Sequence, residues 1–336
     1  MKKSIALTVI SLCLSLYAGA QTTFQRISVV EELTGTRCGW CPRGLVGMQK
    51  LRQEYGDRFI GIGVHNFSTA DPMYSRPYAA AGVFDASPGA PTCTIDRHGF
   101  CDPLHGSTGD VCADFLQQLN QPCYVGVSVS GSYNADSTLV ESKATITAGR
   151  DMQGLSVVFV LVADSVFSDD NAFLQYNAYA TKQAADLPND PELHPFCKGG
   201  TYGYSPFKWA FDDVCIGVSY NNNGKNQAEA VPVLKEGQTF ETAYRMQMPT
   251  KAVLKRTFSR DRVSIVAMVI AADGTVANAA RQPVTGFQTA GIAMPATRHQ
   301  AATAVYDLTG RRDDAANRYG LRILILPDGQ VRKVLR

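Results

Sequence analysis

Charge of one sign is what this 336-residue chain lacks: 32 Lys and Arg stand against 30 Asp and Glu, for a formal net charge of +2. That balance supplies no basic surface of the kind that holds nucleic acid. Beyond the first twenty residues no segment is apolar for long enough to span a bilayer as a helix. A second Cys-x-x-Cys and a His-x₃-His are both missing, so a zinc site would lack half its ligands. Gly-rich phosphate loops, Ser nucleophile elbows and paired-acid motifs are absent too. Neither a metal nor a cofactor is expected.

What is present begins with a leader. Lys2 and Lys3 precede an apolar run from Ile5 to Leu16, and Ala18-Gly19-Ala20 has the small-x-small pattern of a cleavage site. Residues 1–20 therefore predict export. Cys13 sits inside the apolar run without a lipoprotein-type boundary, so no lipid anchor is expected. Removing the leader leaves an even number of cysteines, which suits disulfides in an exported chain. Apart from Cys38 and Cys41, the expected partners are sequence neighbours: Cys93 with Cys101, Cys112 with Cys123, Cys197 with Cys215.

Cys38-Gly39-Trp40-Cys41 is the strongest single motif. It follows an apolar, β-branched stretch (Ile27, Val29, Val30) and opens a helical one (Leu45, Met48, Leu51, Tyr55). Strand, Cys-x-x-Cys, helix is a redox context rather than a metal-binding one. A helix N-terminus favours a thiolate at Cys38, and Arg37 and Arg43 add to that effect. A thioredoxin-type site resembles this order and brings two further parts. One is a carboxylate on the preceding strand, for which Glu32 has the spacing. The other is a cis-proline opening a later strand, for which Pro91 is the candidate, preceded by Ala90. On this reading Cys38 attacks, Cys41 resolves, Glu32 moves a proton, and Pro91 shapes a groove in which Trp40 and Ala90 touch substrate. His65, at the end of the second strand, is either near Cys38 or an ordinary hydrogen-bonded loop histidine. Cys93 is either near the redox pair or half of a structural bridge.

Three regions follow the leader. Residues 21–121 alternate strand and helix: strands at 24–33, 59–65 and 92–96, with a short one near Phe100, and helices at 42–55, 78–84 and 107–119. Ser107 or Thr108 would cap the last helix. From Cys123 the period changes to two, with Val125, Val127 and Val129 on one face. Strands at 138–147, 155–162, 238–248 and 263–271 predict an immunoglobulin-like β-sandwich over 122–287. A long insertion at 164–236 interrupts it. There Tyr176, Tyr179, Tyr202, Tyr204, Phe207, Trp209 and Phe211 form either a binding surface or a satellite core. Residues 300–336 predict a small β tail.

The segments 31–44, 59–66, 71–73 and 90–97 resemble the outer-membrane-protein-28-related family of Bacteroidetes. That resemblance implies a thioredoxin-like domain joined to a β-rich one, and an outer-membrane or surface location. Val305 to Arg312, Gly320-Leu321 and Gly329 to Leu335 are similar to the C-terminal sorting domain of the type IX secretion system, which implies transit across the outer membrane. Two functions stay open. One is a thiol–disulfide oxidoreductase, or thiol-dependent module, whose partners are the thiols or disulfides of exported proteins. The other is a surface binding protein that uses the thioredoxin fold as a disulfide-stabilised scaffold and holds a surface ligand through the aromatic insertion.

Overall fold

A computed structural model describes residues 22–250, 254 and 257–286, together with three backbone strands between 304 and 335. The leader, with Cys13, lies outside the described residues. The chain runs through β1 (Ser28–Leu33), the Cys38–Cys41 loop, α1 (Pro42–Tyr55) and β2 (Phe59–Val64). Pro42 occupies the first turn of α1, where a missing N–H leaves no hydrogen bond unmade. A short α2 (Arg76–Ala80), β3 (Thr92–Ile95) and α3 (Val111–Leu119) follow. β1 and β2 are parallel, and β3 is antiparallel to β1.

The start of α3 is later than expected. Asp110, not Ser107 or Thr108, caps it, accepting from the Cys112 N–H at 3.1 Å. Asp114, in the first turn, captures the Thr108 hydroxyl at 2.5 Å and the Ser107 N–H, which keeps those residues in a turn.

The remaining strands are β4 (Val125–Tyr133), β5 (Leu139–Ala148), β6 (Ser156–Ala163), β7 (Val214–Val218), β8 (Thr239–Gln247), β9 (Val263–Ile270) and β10 (Val276–Pro283). They do not close on themselves as an independent immunoglobulin-like sandwich. Four of them extend the first sheet, giving a mixed seven-stranded order β10-β9-β6-β7-β2-β1-β3. Only β4, β5 and β8 make a separate antiparallel sheet, in the order β4-β5-β8. Side-chain pattern explains the division. Every residue of β9 is buried, as is nearly all of β6. Val157, Phe159 and Leu161 of β6 face a core shared with Val129 and Ile146; Val158, Val160 and Val162 face another shared with Ile60, Ile62 and Cys215. A strand apolar on both faces belongs in the middle of a covered sheet. β5 and β8 alternate buried and exposed, which suits a sheet with one wet face.

One junction joins the two parts of the large sheet. Gly63 of β2 pairs with Val214 of β7, and the Gly63 N–H donates to the Asp213 carbonyl at 2.7 Å. Asp213 is 2% exposed. Its carboxylate accepts from Arg52 of α1 and, at 2.6 Å, from Arg281 of β10, which also reaches Asp164 at 2.7 Å. A Cβ on Gly61 would lie 2.2 Å from an Asp213 carboxylate oxygen, so only glycine fits beneath the cluster.

The expected bridges Cys112–Cys123 and Cys197–Cys215 are not formed; all four are free thiols. Their surroundings account for it. Cys112 packs among Met48, Leu51 and Phe115, whereas the Cys123 thiol donates to the Val125 carbonyl. Cys197 lies with Leu193, Phe196 and Phe207, whereas Cys215 lies on β7 with Ile60 and Val160. Cys93 and Cys101 are adjacent, but as thiols, with Sγ atoms 3.4 Å apart.

Residues 288–336 form a second unit. Its backbone places β11 (Ala304–Tyr306), β12 (Leu321–Ile325) and β13 (Val331–Leu335) in one antiparallel sheet, in the order β11-β12-β13. Among the described residues no helix is long and apolar enough to cross a membrane.

Candidate redox site

Cys38 and Cys41 are joined as a disulfide at the start of α1, with Cα atoms 5.3 Å apart. The Cys41 N–H donates to the Cys38 carbonyl at 3.2 Å and the Gly44 N–H to the Cys41 carbonyl at 2.9 Å, so the motif runs directly into the helix. The N-terminus of a helix carries partial positive charge, which a negative charge at Cys38 would meet. Arg43 is committed elsewhere. Its guanidinium pairs with Asp102 at 2.8 Å and contacts His105, so its charge is already matched. Arg37 is exposed.

Glu32 is fully enclosed on β1. Strand alternation turns it, with Val30, toward the helical layer. A Cβ on Gly44 would sit 1.8 Å from Glu32 Oε1, so the carboxyl presses against the first turn of α1, one turn beyond Cys41. Burial pushes its pKa up to about 8; the nearby Thr34 opposes this and the charge of Asp213 adds to it. Oε1 has no hydrogen-bond partner among the described residues. The cross-strand neighbour of Glu32 is Cys93.

The Ala90–Pro91 peptide bond is cis. Leu33 pairs with Thr92, so Pro91 and Ala90 stand at the same end of the sheet as the loop that leads to Cys38. Both are half-buried. Trp40 projects outward, 48% exposed, with its ring edge-on to Tyr179 at 5.1 Å between centroids.

His65 is buried and linked to the loop through Asp71. Its Nδ1 is 3.3 Å from the Asp71 carboxylate, which accepts from the Thr36 N–H at 2.7 Å and the Thr36 hydroxyl at 3.1 Å. Burial works to raise the Asp71 pKa, but His65 and the N–H groups of Thr36 and Met73 hold it below the usual carboxylate range. His65 thus braces the loop before Cys38. Asp71 was visible in the sequence only as part of a motif with no role.

The insertion supplies the part that local reading missed. The Tyr176 N–H donates to the Thr36 carbonyl and the Ala178 N–H to the Gly39 carbonyl, both at 2.7 Å. Gln175, wholly buried, donates from Nε2 to the Cys38 carbonyl at 2.8 Å and to the Gly35 carbonyl at 3.3 Å. A short strap, residues 175–178, therefore lies along the Cys-x-x-Cys loop. Beneath it Cys38 is 2% and Cys41 0% exposed. Among the seven aromatics singled out, Tyr179, Phe207, Tyr202 and Trp209 pack with Leu193 and Phe196 as a satellite core, and Phe211 joins the main core. Tyr204 and Tyr176 are exposed. Trp40, Phe67 and Tyr176 leave aromatic surface open around the loop: Phe67 donates its N–H to the Thr34 carbonyl and flanks Gly35.

No family model matches the chain, and no curated protein matches it. HBP35 of Porphyromonas gingivalis superposes with a TM-score of 0.52 at 15% identity, over 93% of this chain and 98% of that one. Protein AGR_C_4864 of Agrobacterium tumefaciens superposes at 0.42 and 14% identity, over 81% of this chain and 100% of that one. The likeness to HBP35 is one of fold: a mixed sheet with parallel strands and a separate small antiparallel sheet.

Proposed function

We propose that this chain is an exported thiol–disulfide oxidoreductase module acting on envelope or surface proteins. The leader at 1–20 and the sorting-type tail at 300–336 support export. In the reduced state the Cys38 thiolate attacks a partner's disulfide and forms a mixed disulfide, releasing one partner thiolate. Cys41 gives its proton to the Glu32 carboxylate and attacks Cys38 Sγ. The partner's second sulfur leaves as a thiolate and takes up the proton that Glu32 gives back, so Glu32 is again a carboxylate and Cys38–Cys41 again a disulfide, to be reset by a dithiol donor. Pro91 and Ala90 shape the groove, and Trp40 offers an aromatic face to an unfolded segment.

One observation carries this reading: a carboxyl that burial keeps near pKa 8, unpartnered at Oε1, against the first turn of the Cys-x-x-Cys helix. An uncompensated buried acid destabilises a fold. A proton acceptor poised near neutral pH is what the resolving step requires. The competing reading is a disulfide-stabilised binding scaffold, and it too has an observation behind it: the strap that leaves Cys38 and Cys41 almost without exposure.

The deciding experiment is the equilibrium reduction potential of Cys38–Cys41 in the full chain, with Cys38→Ser as control. A value between about −270 and −120 mV, with reduction of a model peptide disulfide slowed at least about 100-fold by Glu32→Gln, supports the oxidoreductase. A potential below about −300 mV leaves the scaffold.

A further inference from the structure

We propose that Cys93 and Cys101 are a second thiol–disulfide centre, which exchanges with low-molecular-weight disulfides independently of Cys38–Cys41. The two residues face each other across a narrow antiparallel bridge. Each donates its N–H to the other's carbonyl at 2.9 Å, so the backbone fixes their separation. Their Sγ atoms are 3.4 Å apart, and a disulfide needs roughly 2.0 Å. A mutually hydrogen-bonded antiparallel pair holds its Cα atoms about 5.5 Å apart, inside the range a disulfide spans, so rotation of the two side chains is the movement required.

The two thiols are unequal. Cys93 is wholly buried and shares its face with the carboxyl of Glu32. Cys101 is half-buried and lines a surface cleft of about 160 Å³ with His98, Phe100, Thr108 and Gln118. That cleft admits a tripeptide-sized thiol's sulfur and its neighbours, not a folded protein. The contact between the two sulfurs lowers the Cys101 pKa, whereas the same contact, then burial, raises that of Cys93. Geometry and charge agree on the order: Cys101 is the entry thiol and Cys93 the resolving one.

The step balances with a small disulfide as oxidant. The Cys101 thiolate attacks one sulfur of R–S–S–R, forming Cys101–S–S–R and expelling one R–S⁻, which takes up the proton Cys101 lost. Cys93 then attacks Cys101 Sγ, its proton going to the second R–S⁻. Two cysteine thiols become one disulfide, and one R–S–S–R becomes two R–SH. A reduced small thiol in excess runs the sequence backward.

The test equilibrates the full chain in buffers of varied reduced-to-oxidised glutathione ratio, quenches with acid, alkylates under denaturing conditions and maps the peptides by mass spectrometry. Cys93 and Cys101 are expected to become protected together as oxidised glutathione rises and to return when the ratio is reversed. At short times the only glutathione adduct of this pair is on Cys101; Cys93→Ser makes that adduct persist, and Cys101→Ser leaves Cys93 unmodified. Thiols that stay alkylatable at every ratio overturn the proposal, as does a bridge that survives full reduction. An early adduct on Cys93 overturns the assigned order. The short-time measurement on the unmutated chain serves if either variant fails to fold. Peptides carrying Cys38 and Cys41 are read in the same digest, so their behaviour is scored separately.

Discussion

Glu32 is the residue at which stability and chemistry meet. Its folded pKa lies near 8, above the ordinary value of 4.5. Below the ordinary value the side chain is neutral in both folded and unfolded chains and costs no charge burial. As pH rises past it, the unfolded chain releases the proton first, so stability falls until the folded group also ionises near pH 8. The loss across that window is on the order of 5 kcal/mol. We predict that the Tm of the native chain falls from pH 5 to pH 8 relative to that of Glu32→Gln, with the two curves parallel above pH 9. A native chain whose Tm tracks the variant's at every pH would show that Glu32 is not held protonated. The spacing of Glu32 ahead of Cys38 was legible in the sequence. Its lack of a partner at Oε1 was not, because that depends on α1 closing over it. The reverse holds for Arg43, whose place beside the motif suggested an effect on Cys38 that Asp102 and His105 absorb.

At the scale of elements, α1 and the strap carry separate predictions. Gly44→Ala would drive a methyl group into the Glu32 carboxyl, since the Cβ position is 1.8 Å from Oε1. The expected cost is about 2 kcal/mol in chemical denaturation, and shortening the neighbour in a Gly44→Ala/Glu32→Ala double variant recovers most of it. Additive losses would mean that the two side chains do not meet. The strap rests on Gln175, whose amide donates to the Cys38 and Gly35 carbonyls. Losing these bonds should ease strap opening by about 2 kcal/mol and so speed reduction of Cys38–Cys41 by dithiothreitol roughly 30-fold. Stopped alkylation time courses on Gln175→Ala check this; an unchanged rate means reduction does not pass through strap opening. Element types were largely readable from apolar periodicity. β6 and β9 were readable further than a sandwich allows: their unbroken apolar runs are the mark of strands buried on both faces, and that pattern distinguishes them from the alternating β5 and β8. The α3 start was misjudged because three capping residues, Ser107, Thr108 and Asp110, lie within four positions, and Asp114 decided among them.

For the whole molecule, the seven-stranded sheet makes one cooperative body of segments that composition divides near residue 122. Asp213 pins the junction with Arg52 and Arg281. Asp213→Ala leaves two guanidinium groups without their buried partner and is expected to cost about 3–5 kcal/mol. The loss should appear as one unfolding transition moved to lower denaturant, monitored by both far-ultraviolet dichroism and Trp fluorescence. Two separated transitions would mean that the halves fold independently. Neither this junction nor the strap has a local signature, because Arg52 lies 161 residues from Asp213 and Cys38 lies 137 residues from Gln175. The strap's distance also has a temporal meaning. Gln175 follows Cys38 by 137 residues, so a chain made from its N-terminus presents both thiols of the motif long before their cover exists. During that interval the pair is open to any oxidant it meets. Once residues 175–178 settle across the loop, exchange at the pair proceeds only as fast as the strap opens.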